Sequence, residues 1–322
     1  MEKGYVIGID LGGTKINGAF ADLQGNVLAQ ATTKTDAPLG EEVVLSNIIS
    51  IINQVIKASG KSLRQVKAIG IGSPGPLDPE EGIIIKSPNL PFHNFNLVGP
   101  IKEKFKVPVV LDNDANVGAL GEFLYGAGKG TKNMIYITVS TGIGGGAILN
   151  KKIYRGNTFN ALEIGHMTVT PEKIRCNCGN YGCLEVMASG TAIGRQAKEA
   201  IIQGRETALS KYENPTSYEV FLEATNKDQV SLEILDKSLT YLGIGVANVV
   251  TCFDPELVVI GGGVSKGGEI IIDKVKEVVR KRCFKTLADG CEIKLAKLGT
   301  DAGVIGALAL AVLEGAPSVR IK

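Results

Sequence analysis

Hydrophobic and polar positions alternate with different periods along this 322-residue chain. Residues 5–10, 16–21 and 27–32 are β-type segments separated by glycine-containing turns, which predicts three strands. Residues 41–58 instead place apolar side chains three or four positions apart, as in a helix that buries one face. The apolar residues of this stripe are Val44, Ile48, Ile51, Ile52 and Val55. The chain therefore begins with strands and continues into a helix.

Strands and helices continue to alternate after this helix. The pattern predicts further strands at residues 67–72, 109–111, 134–139, 145–149, 257–260 and 293–295. It predicts further helices at residues 115–124, about 191–203, 231–252, 270–281 and 303–313. Mixed elements in this order indicate an α/β protein.

The pattern restarts in the middle of the chain, which indicates an internal repeat. The segment I-D-L-G-G-T-K-I-N-G-A, which begins at Ile9, aligns with V-S-T-G-I-G-G-G-A-I-L, which begins at Val139, and pairs Asp10 with Ser140. Each segment is typical of a strand, a glycine-rich turn and a second strand. Such turns let backbone N–H groups approach phosphate oxygens. Two of them imply a bound nucleotide, although each one alone is more often a plain turn.

Composition and charge narrow the class of protein. A chain of this length that is 44% hydrophobic can bury a large core and suggests about two domains. The formal net charge of +2, without long basic runs, gives no reason to expect binding to nucleic acid or to a membrane surface. Asp10 interrupts the segment where a signal peptide needs its apolar core, and the uncharged run 302–313 is shorter than the ~20 residues of a membrane span. We expect a cytoplasmic protein.

Three thiols lie close together in R-C-N-C-G-N-Y-G-C-L-E, residues 175–185. A disulfide would leave one thiol over, whereas zinc takes four nitrogen or sulfur ligands. Together with His166, the thiols of Cys176, Cys178 and Cys183 make a Cys3His set. We predict a structural Zn²⁺ site, because four protein ligands leave no position open for water; a surface disulfide or a chance cluster is the alternative. The other cysteines are expected to be free thiols in a reducing compartment.

Two further motifs do not support the sites that they suggest. Residues 70–75 satisfy the G-x-G-x-x-G pattern, but Pro74 and Pro76 oppose the helix that a dinucleotide fingerprint requires, so we predict a loop. Residues 112–116 begin like a calcium-binding loop but lack its later glycine and glutamate. Their carboxylates must therefore serve another purpose.

Five motifs occur together and in order, and together they resemble a known family. They are D-L-G-G-T-K at residues 10–15, L-D-N-D-A-N at 111–116, E-I-G-H at 163–166, C-N-C-G-N-Y-G-C-L-E at 176–185 and I-G-G-G-V at 260–264. The chain resembles the ROK family of bacterial sugar kinases and repressors from about residue 5 to about residue 314, and it is most similar to the glucokinases of that family.

The resemblance implies a fold. It is an α/β, two-domain actin-like and hexokinase-like (ribonuclease H-like) ATPase fold with sugar and nucleotide in the interdomain cleft. We expect a small N-terminal domain over residues 1–117, to which residues 301–322 return, and a large domain over residues 118–300 that carries the zinc site. The usual quaternary structure of family members also implies a homodimer or a homotetramer.

The resemblance assigns the catalytic chemistry to Asp114. This aspartate is the expected general base for the 6-hydroxyl of a hexose, and it follows a predicted strand, where α/β proteins bind ligands. From the pattern alone, capping of the next helix is an equal alternative, because Asp and Asn are usual N-cap residues. The implied phosphoryl donor is ATP with Mg²⁺.

The resemblance also assigns the sugar contacts. They are Gly75, through its backbone, and the side chains of Asn89, Asn113, Asp114, Glu163, His166 and Glu185. An arbitrary glutamate is usually solvated surface, but Glu163 and Glu185 stand close in sequence to expected zinc ligands, so the metal would hold both near one place. His166 would bind zinc with one ring nitrogen and donate to a sugar oxygen with the other. His93 has no such neighbours and is expected to be a loop histidine.

The nucleotide contacts implied by the resemblance come from glycine-rich segments. Asp10 matches the family's Mg²⁺-associated carboxylate, which acts through water because Mg²⁺ keeps much of its hydration. The phosphate contacts are Gly12, Gly13, Thr14 and Lys15 from one domain and Thr141, Gly142 and Gly144 from the other. Gly261, Gly262 and Gly263 follow a predicted strand where the fold places adenosine, although a glycine triplet can equally be a strand-to-helix turn.

The expected reaction is the phosphorylation of glucose to glucose 6-phosphate. The glucokinases of the family usually show Ala-Gly-Glu where this chain has A-L-E at residues 161–163, so mannose, fructose, N-acetylmannosamine or N-acetylglucosamine is the alternative substrate. Repressors of the family carry a DNA-binding helix-turn-helix before the first phosphate motif. Only nine residues precede Asp10 here, which favours an enzyme. A sugar-sensing regulator without its own DNA-binding domain is the second alternative.

Overall fold

The computed structural model describes residues 4–87 and 89–316, which form two compact units. The first unit contains the described residues up to Gly130, together with Lys152–Ala161 and those from Leu298 onward. The second contains Thr131–Lys151 and Leu162–Lys297. The domain boundary predicted after residue 117 stays a prediction, and residues 317–322 of the expected C-terminal return lie outside the described residues.

Strands and helices alternate along the described chain, as the α/β prediction requires. The strands are β1 (Tyr5–Leu11), β2 (Lys15–Asp22), β3 (Val27–Lys34), β4 (Val66–Ser73), β5 (Leu77–Asp78), β6 (Ile83–Lys86), β7 (His93–Asn96), β8 (Val109–Asn113), β9 (Met134–Val139), β10 (Ile143–Leu149), β11 (Lys152–Tyr154), β12 (Leu257–Gly261) and β13 (Glu292–Leu295). The helices are α1 (Glu41–Ser59), α2 (Val98–Phe105), α3 (Asp114–Tyr125), α4 (Leu184–Ala188), α5 (Gly190–Ile202), α6 (Ser217–Thr225), α7 (Gln229–Phe253), α8 (Glu269–Arg282), α9 (Lys285–Gly290) and α10 (Ala302–Leu310). Within residues 4–87 and 89–316, no helix combines the length and the apolar character needed to cross a membrane.

The first unit is built on a five-stranded sheet with the order β3-β2-β1-β4-β8. Strand β1 is antiparallel to β2 and parallel to β4, and β4 is parallel to β8. Helix α1 packs against β2 and β3, and every apolar residue of its predicted stripe is fully buried. The prediction of this amphipathic helix is therefore confirmed.

Helix α10 packs against β1 and β4 through the alternate side chains that α1 does not cover. Two glycines permit this close approach. A Cβ at Gly8 would lie 2.7 Å from the Leu308 amide nitrogen, and a Cβ at Gly70 would lie 2.1 Å from the Ala307 carbonyl oxygen. Any larger residue at these two positions would push the helix away from the sheet.

Three expectations about the first unit need correction. The loop predicted at residues 70–75 begins only after Ser73: the strand predicted at 67–72 is confirmed and extends to Ser73, because β4 still pairs with β8 there. His93, expected in a loop, begins β7 of a small sheet with the order β5-β6-β7, whose strands are too short to show a period. The helix predicted at residues 303–313 is α10 followed by a π-helical turn, Ala311–Gly315.

The second unit repeats the strand arrangement of the first. Its strands lie in the order β10-β9-β12-β13, with β9 antiparallel to β10, β9 parallel to β12, and β12 parallel to β13. This order and these directions match β2-β1-β4-β8. The internal repeat predicted from the two glycine-rich segments is therefore present in the topology. The long helix α7 packs against α8, α6 and α5.

Candidate functional site

The β1–β2 hairpin of the first unit carries the predicted phosphate contacts at residues 12–15. The Gly12 N–H donates to the Lys15 carbonyl at 3.0 Å and closes the turn. From the end of β3, the Thr35 hydroxyl donates to the Gly12 carbonyl at 2.6 Å. Thr14 and Lys15 at the tip are exposed. The hairpin is a fixed turn with an accessible tip.

Asp10 lies in β1 just before this turn and is half-buried. Asn17 Nδ2 donates to Asp10 Oδ2 at 3.0 Å. Burial raises the pKa of Asp10, while the hydrogen bond from Asn17 and the charge of Lys15 act in the opposite direction. A carboxylate fixed beside such a turn fits a hydrated Mg²⁺, and Asp10 is the residue that would hold the ion through water.

Asn89 packs on the tip of the same hairpin. A Cβ at Gly13 would lie 2.8 Å from Asn89 Cβ and 2.9 Å from the Asn89 carbonyl oxygen. Glycine is therefore required for the two segments to approach. The structure brings a predicted sugar contact and a predicted phosphate contact side by side in the first unit.

The junction between β8 and α3 presents Asn113 and Asp114. Asn113 is the N-cap residue, and its Oδ1 accepts from the Ala115 N–H at 2.9 Å. Asp114 is the first helical residue and is exposed, with Oδ1 2.8 Å from the same N–H. A Cβ at Gly75 would lie 3.3 Å from Asn113 Nδ2. The capping role is therefore carried by Asn113, and Gly75 lies next to it.

A buried ion pair anchors this junction, and sequence reasoning missed it. Asp112 is 1% exposed; its Oδ1 accepts from the Asn113 N–H at 2.7 Å, and its Oδ2 accepts from Arg155 Nε at 2.8 Å. Arg155 also donates to both carboxylate oxygens of Glu314 at 2.7 Å. Burial raises the pKa of Asp112, and the Arg155 charge opposes that rise. The partners are far apart in sequence, so no local sequence pattern predicts the pair.

The predicted zinc ligands lie together in the second unit. One ligand atom from each of His166, Cys176, Cys178 and Cys183 lies within 4.8 Å of the others. His166 Nδ1 is 3.6 Å from Cys176 Sγ, and Cys178 Sγ is 3.7 Å from Cys183 Sγ. A tetrahedral zinc site places sulfur about 3.6 Å from nitrogen and about 3.8 Å from sulfur. The residues present therefore fit a zinc ion.

Backbone hydrogen bonds shape the segment that carries these ligands, which we call the Cys3His knot, residues 163–185. The Cys176 N–H donates to the Asn180 carbonyl at 2.8 Å, and the Leu184 N–H donates to the Met167 carbonyl at 2.8 Å. Gly182 has φ +66, and a Cβ there would lie 2.2 Å from the Thr170 carbonyl oxygen. The knot is thus a tight turn that only glycine allows at that point.

Glu163, His166 and Glu185 are all carried by this knot. Glu163 Oε2 lies 4.0 Å from His166 Nε2, the ring nitrogen that does not face Cys176. Glu185 is in the first turn of α4, and its Oε2 accepts from the Ile143 N–H of β10 at 2.9 Å. The structure therefore connects a predicted sugar contact with the second glycine-rich hairpin.

A cavity of about 630 Å³ in the second unit contains two predicted nucleotide contacts, Thr141 and Gly263. The remaining lining residues were not predicted; they are Ser140, Gly190, Thr191, Gly194, Arg195, Lys198, Pro215, Thr216, Ser217 and Val264. Ser140 and Val264 adjoin the two predicted contacts, whereas the others come from α5, the start of α6 and the segment before α6, which show no phosphate motif of their own. A site of this kind requires the tertiary packing of helices onto the sheet edge.

Gly261 and Gly262, two of the other predicted glycines of the nucleotide site, are also required by packing. A Cβ at Gly261 would lie 2.6 Å from Tyr136 Oη, and one at Gly262 would lie 2.4 Å from the Val139 carbonyl oxygen. Gly144 is half-buried in β10, opposite Thr138. The nucleotide contacts of these three glycines stay predictions.

The loop before Glu163 contains two residues in the left-handed region. Phe159 has φ +60 and Leu162 has φ +66, a conformation that favours glycine. Leu162 is only 8% exposed and lines a cavity of about 190 Å³ with Met167, Val249 and others. Leu162 therefore combines a buried side chain with a strained backbone conformation, and it directly precedes Glu163, a predicted sugar contact.

Two units with the same strand order, each opening on a glycine-rich hairpin, define the class of protein. The fold is the two-domain actin-like, hexokinase-like ATPase fold, and a kinase fold of this class implies ATP and Mg²⁺. Residues 6–314 match the ROK family, and the chain belongs to that family. The family predicted from the five motifs is confirmed.

Kinases and repressors are both similar to this chain. A glucokinase of Halalkalibacterium halodurans is 39% identical over 311 residues, which cover 95% of the chain and 94% of the relative. A xylose repressor of Caldicellulosiruptor bescii is 34% identical over 320 residues, which cover 97% of the chain and 79% of the repressor. The solved structure of a ROK family glucokinase from Streptomyces griseus in complex with glucose and AMPPNP has a TM-score of 0.76 and 31% identity, and the match covers 95% of this chain and 99% of that one.

Proposed function

We propose that this protein is an ATP-dependent ROK sugar kinase that phosphorylates the 6-hydroxyl of glucose. The observation that carries the proposal is the β8–α3 junction, where Asn113 caps the helix and Asp114 is exposed in its first turn. The similarity to glucokinases supports glucose as the substrate, and the shared ATPase fold supports ATP as the donor.

Asp114 is the general base of the proposed reaction. A sugar hydroxyl is a poor nucleophile, and a carboxylate is too weak a base to remove its proton in advance. Asp114 therefore takes the proton late, as the new O–P bond forms and the bond to ADP breaks. Mg²⁺, when bound near Asp10, neutralises charge on the phosphates. The other residues position the two substrates.

The glucose contacts proposed for the first unit are Gly75, Asn89, Asn113 and Asp114, and those proposed for the second unit are Glu163, His166 and Glu185. Fixed donors and charged acceptors suit a ring of equatorial hydroxyls. A sugar that lacks one of these hydroxyls leaves a polar group unpaired and loses about 1–3 kcal/mol per group. Zinc, when bound by the Cys3His set, would hold the shape of the site and would not react with the substrates, because four protein ligands would complete its coordination.

The nucleotide contacts proposed are the β1–β2 hairpin, with Gly12, Gly13, Thr14 and Lys15, and the β9–β10 hairpin, with Thr141, Gly142 and Gly144. We place adenosine in the cavity that Thr141 and Gly263 line. Lys198 adds positive charge to that cavity, while the charge of Arg195 is paired with Glu199 at 2.6 Å. We propose that Gly261 and Gly262, the neighbours of Gly263, also contact adenosine.

The test of the base is Asp114→Asn, compared with the matched variant Asp289→Asn at an exposed position in α9. Asp114→Asn is expected to keep glucose and ATP binding and to lower kcat by at least about 10²-fold, the usual scale for a lost general base. Asp289→Asn should retain wild-type kcat. Coupled release of ADP measures the rate. Near wild-type turnover by Asp114→Asn would remove Asp114 from the mechanism.

The substrate is tested by kcat/KM for glucose, mannose, fructose, N-acetylmannosamine and N-acetylglucosamine with ATP. Glucose should be the best, and mannose, which differs at the 2-hydroxyl, should be phosphorylated less efficiently. The alternative, a different hexose as the substrate, is motivated by the loop that contains Phe159 and Leu162, both in the left-handed region. A higher kcat/KM for fructose or an N-acetylated sugar would reject glucose and leave the sugar kinase in place.

A sugar-sensing regulator is the second candidate, because the xylose repressor of Caldicellulosiruptor bescii is similar over 97% of this chain. A regulator would bind sugar without releasing ADP. Coupled ADP release in the presence of each hexose separates the two candidates.

We further propose that the protein is a cytoplasmic homodimer or homotetramer whose partners are the hexose and ATP. This assembly is the one that the resemblance to the ROK family implies. Light scattering of the purified protein measures its mass, and a monomer would reject the proposal.

A further inference from the structure

The β9–β10 turn, residues 140–143, is held in place by the last residue of the Cys3His knot and by the first residue of α5. The Ile143 N–H donates to Glu185 Oε2 at 2.9 Å, and the Gly190 N–H donates to the Ser140 carbonyl at 2.7 Å. Inside the turn, the Ser140 N–H donates to the Gly142 carbonyl at 2.8 Å. Two points of attachment outside the strands therefore fix the turn, and one of them is a carboxylate.

Gly142 shows how closely the Glu185 carboxylate lies against the turn. A Cβ at Gly142 would lie 2.3 Å from Glu185 Oε2, and the other two nearest atoms also belong to Glu185. A Cβ at this position would therefore displace the Glu185 carboxylate, whereas the backbone conformation does not itself require glycine, since φ is not positive there. The turn and the carboxylate occupy adjoining space.

Glu185 is in turn fixed by the knot. It follows Cys183 by two residues, and the Leu184 N–H between them donates to the Met167 carbonyl at 2.8 Å. Its carboxylate is half-buried, and its acceptor capacity exceeds the single bond to Ile143, since a carboxylate accepts about four hydrogen bonds. One side chain can therefore hold the turn and accept a further hydrogen bond.

We propose that Glu185 is a positioning residue for the nucleotide: it holds residues 140–143 in the conformation that receives the phosphates, whether or not sugar is bound. This inference rests on the proposed function, because it takes the turn to be a phosphate contact. It gives Glu185 a role beyond that of a sugar contact. It also makes nucleotide affinity depend on the Cys3His knot, which carries Glu185.

The experiment is calorimetric titration of AMPPNP with Mg²⁺ into protein without sugar. Glu185→Ala should weaken AMPPNP binding about tenfold, the scale of one charge-assisted hydrogen bond. Glu185→Gln keeps an acceptor oxygen for the Ile143 N–H and should bind within about twofold of wild type. Glu206→Ala, which removes a carboxylate at an exposed position after α5 and outside the cavity lining, should bind AMPPNP as wild type does.

A double-mutant cycle separates positioning from general loss of structure. Gly142→Ala alone should weaken AMPPNP binding, because its Cβ displaces the Glu185 carboxylate. In the Glu185→Ala background the same change should cost little, since the atoms that crowd that Cβ are gone. Additive effects of the two changes would contradict the contact.

The outcomes distinguish this inference from the proposed function. Wild-type affinity of Glu185→Ala for AMPPNP without sugar would overturn the inference alone and leave Glu185 a sugar contact. A wild-type protein that binds no AMPPNP would overturn both the inference and the kinase. Zinc content of each variant, measured in parallel, should equal one per chain and should show that the knot is intact.

Discussion

The two units hold their predicted functional side chains by different means. In the first unit, the junction that presents Asn113 and Asp114 is anchored by the buried ion pair between Asp112 and Arg155. In the second, the residues predicted to bind sugar are carried by the Cys3His knot. The first anchor joins distant parts of the chain, and the second is local.

The glycine-rich hairpins show the same difference. Both join the first two strands of a repeated strand order, but Asp10 of the first matches Ser140 of the second. The first hairpin carries its own carboxylate within the strand, whereas the second receives one from Glu185. The two hairpins therefore share a backbone arrangement but not the origin of their carboxylate, because the carboxylate at the second hairpin comes from another segment.

Removal of the zinc site should have the largest effect on stability. Cys178→Ser should lose zinc and sugar affinity and should lower Tm by about 10 °C or more, since metal binding supplies folding free energy. Cys252→Ser, at an exposed cysteine outside the cluster, should change neither zinc content nor Tm. Metal analysis and thermal unfolding measure both. Purified protein that contains no zinc and still binds sugar normally would reject the local metal anchor.

Loss of the ion pair should have the next largest effect. Arg155→Ala leaves the Asp112 carboxylate, which is 1% exposed, without its cation and should cost about 3–5 kcal/mol of unfolding free energy. The deficit should be largest at neutral pH and should shrink in acid, where Asp112 takes a proton. Urea unfolding measures it. The double variant Arg155→Ala with Asp112→Asn should recover stability, and no recovery would mean that Arg155 acts by packing alone.

Asp10→Asn should separate function from stability in the first hairpin. Burial raises the pKa of Asp10, so its contribution to stability is present in acid and is lost as the pH rises through its folded pKa. Asparagine should therefore raise Tm at pH 7 by a few degrees, and the gain should vanish toward pH 4. Turnover with ATP should fall about 10²-fold. Asp36→Asn is the control. Asp36 has φ +54, a left-handed conformation that asparagine also adopts, so this variant should show neither effect.

The smallest expected effect is a difference between two variants at Leu162. Leu162→Ala and Leu162→Gly remove the same buried side chain, but glycine relieves the strain at φ +66, so the glycine variant should be more stable by about 1 kcal/mol. At Leu239, in the middle of α7, the order should reverse because alanine favours a helix. Urea unfolding of the four variants tests the sign. The same order at both positions would mean that strain at Leu162 is negligible.

Much of the fold could be predicted from the sequence. The stripe of α1 and the strand-turn-strand segments are local patterns, and the structure reproduces them to within a few residues. The small β5-β6-β7 sheet was missed because strands of two to four residues are too short to show a period. The loop predicted at residues 70–75 was placed too early because two prolines suggested it, while pairing with β8 keeps residues up to Ser73 in the sheet.

By itself, the sequence determined what short spacings can encode: the α/β class, the repeat, the family motifs and a Cys3His set within residues 166–183. Only the tertiary structure decided which of two adjacent residues caps α3, because Asn and Asp are equally good caps and the choice depends on where β8 ends. It also decided that Arg155 meets Asp112 and Glu314, and that Glu185 meets the turn at Ile143. Such contacts join residues tens of positions apart, and they arise only when packing brings the elements together.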